Sequence, residues 1–486
     1  MEDNIRKKTK IGILWNTFER FSVQIVSFVI GVILARLLTP EDYGTVGLLT
    51  VFLTISNVFI DSGFSKGLIQ KIDRTEEDFS TTLIFNFVVS IILYCILFFL
   101  APLIAKFYKK PELTLLARVL FIVIILTSLN VVQNAILQIK VDFKKIAIIN
   151  FISTCISGVL GVITAYKGIG VWALIIQNIS KTIITVILFF ILGHWIPKTG
   201  FYINSFKKLF SYGSKLLATG LISTLITNIQ NLIIGKIYKP ESLGYYTRAM
   251  NFPQVISGTA TSVLQTTTFP ILSRYQEDKK ELLKLFKRIV HLTCLFVFPS
   301  MVGLAMISKT LILVLLTEKW IIVSEYLFWL SLSFIFSPLE ILNLNLLNAL
   351  GRSDLNLKID LIKLPLIVIF MCITLPIGIK AVVIGGFISS FICYIIDGFL
   401  IGKLFNFGAF NQLFSSWKAI LSTIIMSIVL LLLNYIILNE TFFKLLILIG
   451  AGILSYIICL LFLQEVEIIN IIKKIIARFC ISKDRK

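Results

Sequence analysis

Runs of about twenty mostly apolar residues follow one another along the whole chain, and this recurrence leaves little freedom of fold. A helix that crosses a bilayer needs roughly 20 such residues. Fourteen stretches qualify: 11–34, 44–66, 79–105, 112–138, 146–166, 169–192, 208–234, 243–270, 284–307, 321–348, 356–376, 378–402, 417–437 and 442–463. A shorter apolar piece, Lys309 to Thr317, precedes the tenth and reads as a helix lying in the interface. Of the 486 residues 57% are hydrophobic and only 15% charged, where a soluble chain carries about a quarter charged residues. Mean hydropathy is +0.93. The expectation is an all-α integral membrane protein of about fourteen transmembrane helices. The longest connections, about 193–207 and 271–283, are too short to fold alone. Any work falls to the helices.

The basic N-terminus, Met1 to Lys10, runs into an apolar stretch reaching Leu38. That stretch is too long for a signal peptide's apolar region and lacks a small-residue cleavage site, so it reads as a retained first span. A formal charge of +20 can signal nucleic acid, but no basic stripe exceeds a few residues and each lies between apolar runs. No nucleic-acid partner is expected. The positive-inside bias explains the excess. With the N-terminus inside, 31 of the 46 Lys and Arg fall in inner segments and 12 in outer loops, with Arg20, Lys181 and Arg248 embedded. Both termini are therefore placed in the cytoplasm. The tail from Gln464 to Lys486 alternates Ile468, Ile469, Ile471, Ile472, Ile475 and Ile476 with Lys473, Lys474 and Arg478, the pattern of an interfacial anchoring helix. Seven cysteines are scattered singly with no CxxC, which suggests neither a disulfide framework nor a metal site.

The chain repeats itself. Leu34-Ala35-Arg36-Leu37-Leu38-Thr39-Pro40-Glu41-Asp42-Tyr43-Gly44 returns 200 residues on as Ile234-Gly235-Lys236-Ile237-Tyr238-Lys239-Pro240-Glu241-Ser242-Leu243-Gly244. Pro stops one helix, and Gly is expected to permit a tight turn into the next. Gly168-Ile169-Gly170-Val171 matches Gly378-Ile379-Lys380-Ala381 more weakly. Six spans per half keep both halves in one orientation, a parallel repeat about the membrane normal. The expected organisation is a six-helix lobe over 1–198, a second over 199–406, two extra helices within 407–463, and the basic tail 464–486.

Ionisable side chains inside spans cost about 2.5–3.5 kcal/mol each at mid-membrane. Glu19, Arg20, Asp61, Lys181, Arg248, Glu340 and Asp397 fall inside, with Arg118, Lys215 and Lys363 one to two turns in. Facing lipid, the first seven would together cost on the order of 20 kcal/mol, so a cleft or mutual pairing is expected. Asp61 and Asp397 sit nearer the cytoplasmic ends. Span 7 is polar, with Lys215, Thr219, Ser223, Thr224, Thr227, Asn228, Gln230 and Asn231. Span 8 adds Thr259, Thr261, Ser262, Gln265, Thr266, Thr267 and Thr268. Such residues either join helices or line water. Gly31, Gly63, Pro253, Gly258, Pro299, Pro338 and Pro365 offer bends. No HExxH, P-loop or GxSxG occurs, and Ser205-Phe206-Lys207-Lys208 lacks the companions of an SxxK site. No cofactor and no catalytic residue is expected, and any driving force is a gradient or the substrate's own.

The Pro40 and Pro240 motifs, with Asp61-Ser62-Gly63-Phe64, Leu68-Ile69-Gln70, Leu243-Gly244-Tyr245-Tyr246-Thr247-Arg248-Ala249, Phe269-Pro270-Ile271-Leu272-Ser273-Arg274 and Ala349-Leu350-Gly351-Arg352-Ser353-Asp354, resemble the Wzx-type polysaccharide flippases. These form the polysaccharide transporter branch of the multidrug/oligosaccharidyl-lipid/polysaccharide superfamily. The resemblance runs from span 1 to span 11. It implies two six-helix lobes in a V, and passage of undecaprenyl-pyrophosphate-linked sugars across the bacterial inner membrane. A polysaccharide polymerase and chain-length machinery are the partners it suggests, beside membrane lipid. It also implies a cationic cleft, for which Arg20, Lys181, Lys215 and Arg248 are the candidates, with Glu19, Asp61, Asn228, Gln230, Asn231, Gln265 and Glu340 as its polar and acidic lining. Gln230 stands where many relatives carry Asp, which removes the charge that a proton or sodium role there needs. The alternative is a multidrug or cation antiporter of the same superfamily, which would favour embedded acids.

Overall fold

A computed structural model describes residues 2–61, 63–71 and 73–470, so the tail beyond Asn470 lies outside the described residues, as do the side chains of Lys215 and Thr266. Among them are nineteen α-helices and no strand. The helices are α1 (Glu2–Leu37), α2 (Pro40–Asp61), α3 (Phe64–Gln70), α4 (Glu76–Phe107), α5 (Leu113–Leu120), α6 (Ile122–Ile139), α7 (Phe143–Tyr166), α8 (Trp172–Gly193) and α9 (Ile203–Ile237). They continue as α10 (Pro240–Ser273), α11 (Lys279–Met306), α12 (Ser308–Leu316), α13 (Ile321–Ser333), α14 (Phe336–Ala349), α15 (Ser353–Thr374), α16 (Ile379–Phe405), α17 (Ala409–Ser415), α18 (Trp417–Ile436) and α19 (Phe442–Phe462).

Twelve stretches among the described residues are long and apolar enough to cross a membrane. The eighth and eleventh expected spans, carried by α10 and α15, do not reach that standard. α10 is rich in Ser, Thr and Gln, and α15 carries Asp354, Lys358, Asp360 and Lys363 in its first three turns. The short piece before the tenth span is the nine-residue α12. The tenth span itself breaks between α13 and α14, so Pro338 stands in the first turn of a helix and not in the middle of one. Gly63 likewise sits at the junction of α2 and α3, with φ +70°.

The chain divides into two compact units, Met1–Thr247 and Arg248–Lys486. In the first, α1 packs on α7, α7 on α8, α4 on α6, and α2 on α6 and α9. Lipid tails are as apolar as leucine, so these contacts hold through close packing and polar links between helices. Ser90 of α4, for example, donates to Ser128 of α6 at 3.1 Å. The connections alternate between two ends of the unit. At one end Lys110 pairs with Glu41 at 2.5 Å, Gly170 faces the Asp42 carboxylate, and Lys236 donates to the Phe107 carbonyl at 2.6 Å. At the other, Lys71 pairs with Asp78, Glu76 accepts from Trp195 at 2.9 Å, and Gln133 donates to the Trp195 carbonyl at 2.6 Å.

Both Pro-Glu turns lie at the first of these ends, touching each other. Thr39 caps α2 in a reciprocal box: its hydroxyl and backbone N–H donate to Asp42, whose own N–H donates back to the Thr39 hydroxyl. Pro40 then occupies the first helical position, where its missing N–H costs nothing. Gly44 and Gly244 are not the turn residues that the sequence suggested. Each lies inside its helix without positive φ. A Cβ on Gly44 would overlap the Pro240 carbonyl oxygen, and one on Gly244 that of Pro40. The repeat keeps glycine there because two helix starts meet backbone to backbone.

In the second unit α11 is the central packing element. Leu282, Phe286, Val290, Cys294, Val297 and Met301 recur every three or four residues and are buried against Leu339, Leu342 and Leu346 of α14 and Tyr394 and Ile401 of α16. A buried polar chain crosses this core, in which the Tyr394 hydroxyl donates to Gln412 at 3.0 Å and Gln412 to Asn343 at 2.9 Å. The stretch after α19 is tied down by charge. Glu465 meets His291 at 3.0 Å and Glu467 meets Arg288 at 3.0 Å. The described part of the amphipathic tail therefore begins anchored on α11.

Candidate functional site

Within the first unit a cavity of about 670 Å³ opens between α2, α3, α6 and α9. Its polarity comes from two helical faces. On α6, Thr127, Asn130, Asn134 and Gln138 are spaced three, four and four residues apart, which puts them on one stripe. On α2, Thr54, Asn57 and Asp61 follow the same three-four spacing. Ser65 of α3 adds a hydroxyl, and Leu216, Leu217 and Gly220 of α9 give an apolar wall. Gly63 makes the corner: its left-handed backbone ends α2 at Asp61, and a Cβ there would lie 2.9 Å from the Gly213 Cα of α9.

The side-chain oxygens of Asn130 and Asn134 are buried and accept no hydrogen bond among the described residues. A buried amide oxygen without a donor is unfavourable by about 1–3 kcal/mol, so these two acceptors suit a ligand or water bringing hydroxyl donors. The lining offers amides, hydroxyls and one carboxylate. These groups suit recognition by hydrogen bonding.

The residues singled out from the sequence are distributed as follows. Asp61 lines the cavity. Glu19 of α1 accepts from Asn150 of α7 at 2.5 Å, a tie between two packed helices. Arg20 and Lys181 present exposed side chains on α1 and α8. The Lys215 side chain lies outside the described residues. Asn228 donates to the Thr224 carbonyl of its own helix at 3.0 Å, while Gln230 accepts from the Tyr246 hydroxyl at 2.8 Å. Among the described residues the buried Asn231 oxygen accepts no hydrogen bond. In the second unit Arg248 is buried, 5.8 Å over the Phe252 ring, and Gln265 is exposed. Glu340 is drawn to Lys363 at 3.3 Å, and Lys363 in turn to Asp397 at 2.6 Å.

Sequence reasoning passed over the α2 and α6 stripes and looked to spans 7 and 8 for amides. The three-four spacing of Thr127, Asn130, Asn134 and Gln138 was the available signal, since polar residues at helical period inside an apolar run mark one wet face. The pairing of Lys363 with Asp397 left no such trace, because 34 residues separate them.

Comparison with known proteins matches this architecture. The profile described as polysaccharide biosynthesis protein covers residues 33–325, more than half of the chain. The teichuronic acid biosynthesis protein TuaB of Bacillus subtilis (strain 168) is 25% identical over 354 residues, 72% of this chain and 73% of that protein. The lipopolysaccharide biosynthesis protein WzxC of Escherichia coli (strain K12) is 23% identical over 409 residues, 83% of this chain and 80% of that one. Among solved structures, the inward closed conformation of the lipid II flippase MurJ superposes with a TM-score of 0.74 at 19% identity, over 94% of this chain and 99% of its own. At that identity the superposition speaks for the fold alone. With a helical multi-pass architecture of this kind and a profile match over most of its length, the chain belongs to the polysaccharide biosynthesis protein family.

Proposed function

We propose that the protein is a flippase that carries undecaprenyl-pyrophosphate-linked oligosaccharide units across the bacterial inner membrane by alternating access, with both termini in the cytoplasm. The observation that carries this reading is the cavity of the first unit. A family member of polysaccharide biosynthesis holds, among apolar membrane helices, a space lined by amides and hydroxyls in which the buried Asn130 and Asn134 oxygens accept no hydrogen bond among the described residues. Sugar hydroxyls are donors of that kind. The relatives act in the same chemistry by name, in teichuronic acid and lipopolysaccharide biosynthesis. The pyrophosphate would be met by bases, for which Arg20, Lys181, Lys215 and Arg248 remain the candidates through charge-assisted hydrogen bonds. The polyprenyl tail stays in lipid.

A drug antiporter would want embedded acids free to bind a cation. Here Glu340 and Asp397 both pair with Lys363, and the cavity's one carboxylate, Asp61, stands among amides and hydroxyls that suit a sugar. The deciding experiment is depletion of the protein in its host, followed by mass spectrometry of the lipid extract. Accumulation of one undecaprenyl-pyrophosphate oligosaccharide on the cytoplasmic leaflet is expected. An unchanged lipid-linked sugar pool with normal surface polysaccharide would overturn the proposal.

A further inference from the structure

Three ionisable side chains from three helices meet inside the second unit. Lys363 of α15 donates to Asp397 Oδ2 of α16 at 2.6 Å and to Glu340 Oε2 of α14 at 3.3 Å. The Lys363 and Asp397 side chains are 9% and 1% exposed, while that of Glu340 is 24% exposed. Asp360, one turn before Lys363 and exposed, is the next charge in range, and the Cys393 thiol lies one turn before Asp397. α11 and α13 pack against α14 and α16, but their charged groups have other partners or lie exposed: Lys284 meets Glu281, Lys287 stands over the Phe407 ring, Arg288 and His291 meet Glu467 and Glu465, Glu325 meets Lys380, and Lys279 and Lys280 are exposed. Among the described residues the three therefore balance only one another.

Two carboxylates share one ammonium, so the fully ionised cluster carries one uncompensated negative charge in a low-dielectric interior. A buried charge without a partner is strongly disfavoured, and a single proton restores neutrality. The geometry decides where the proton goes. Asp397 has the short contact and almost no access to water, which marks it as the standing partner of Lys363. Glu340 has the longer contact and the only substantial exposure of the three. Neutralising Glu340 removes its attraction to Lys363 and leaves the Lys363–Asp397 pair in place. α14 then loses its charge tie to α15. Pro338 stands two residues before Glu340, and the break between α13 and α14 lies just ahead of it.

We propose that Glu340 is a proton-binding site, with Lys363 and Asp397 as its fixed counter-pair, and that loading and unloading one proton there couples transport to a proton gradient. In the loading step a hydronium ion from the open side gives its proton to the Glu340 carboxylate and leaves as water. Unloading reverses this on the other side, with no other bond made or broken. The coupling rests on the flippase reading, whereas the proton site does not.

Infrared difference spectroscopy of the full-length protein in lipid, between alkaline and mildly acid buffer, tests the site without any substrate. A protonated-carboxyl band that shifts in deuterated water is expected in the wild type and in Asp360→Asn. It should vanish in Glu340→Gln. It should also vanish in Asp397→Asn at the same pH, because Glu340 and Lys363 alone are already neutral together. A passive structural ion pair would show no such band, and a band surviving in Glu340→Gln would equally overturn the site. Proteoliposomes bearing a fluorescent undecaprenyl-pyrophosphate oligosaccharide test the coupling. An imposed pH gradient should speed wild-type flipping several-fold and leave Glu340→Gln unaffected; equal responses would refute coupling through Glu340. Absence of any flipping by the wild type would instead refute the flippase reading, while the infrared result stands.

Discussion

Gly44→Ala adds one methyl group where the start of α2 touches the start of α10. The new Cβ would overlap the Pro240 carbonyl oxygen, and because the obstacle is backbone, no rotamer change relieves it. The helices must part. Gly44 has no positive φ, so its conformation alone would favour alanine by about 0.5–1 kcal/mol in a helix interior. Overpacking opposes this with about 1–3 kcal/mol. Parting the helices also loosens Leu243 against Gly47 and Leu48 against Gly235. The net expectation is a loss of about 1–2 kcal/mol, opposite in sign to the purely conformational effect. Gly244→Ala should behave alike, and the double variant should lose less than the sum, since one separation accommodates both methyls. Gly386 of α16 and Gly450 of α19 have no atom within 4 Å of the place an added Cβ would take, and alanine there should be neutral or stabilising by up to about 1 kcal/mol. Reversible unfolding by dodecyl sulfate in mixed micelles, followed by tryptophan fluorescence, measures all five variants. Gly44→Ala as stable as the wild type would refute the close-contact account of the repeat.

Single-cysteine labelling from outside intact cells, in a cysteine-free background, should modify position 239 and spare position 279; the reverse pattern would invert the proposed orientation. Asn130→Leu and Asn134→Leu each remove a buried acceptor that has no donor among the described residues. Stability should hold or rise, while flipping in proteoliposomes falls about tenfold for the loss of a substrate hydrogen bond of roughly 1.4 kcal/mol; unchanged flipping would exclude the cavity as the sugar site. Arg20→Ala and Lys181→Ala should leave the protein inserted yet sharply cut surface polysaccharide. Exchange for the other base should retain part of the activity, since the charge is kept and the bidentate geometry altered. Normal export with alanine at Arg20, Lys181, Lys215 and Arg248 together would end the cationic mechanism.

The reach of sequence reasoning differed from element to element. α4 and α19 have the highest mean hydropathy of the candidate spans, 2.8 each, and such runs declare themselves because lipid judges each helix by its own length and side chains. α10 and α15 match expected spans in extent but not in hydropathy. Their polar groups are offset by neighbours, as Lys363 is by Asp397, and hydropathy along one helix does not record its neighbours. The amide stripes of α2 and α6 had a readable period, yet nothing in either run alone showed that the two faces would enclose one cavity.

Sequence alone determined the class of protein and the approximate spans, and it set the direction in which the chain is expected to thread. Each of these rests on a local requirement: an apolar run as long as the hydrocarbon is thick, or a count of bases in a short loop. The Pro-Glu-x-x-Gly repeat was equally plain, but the reason for its glycines was not. That reason is a contact between residues 200 positions apart, and a single chain's sequence carries no distance between them. Tertiary structure decided it, as it decided that Asn130 and Asn134 share a cavity with Asp61 and that Glu340 faces Lys363. Hydrogen bonds and ion pairs act over about 3 Å, so which polar side chains work together is settled only when packing brings their helices side by side.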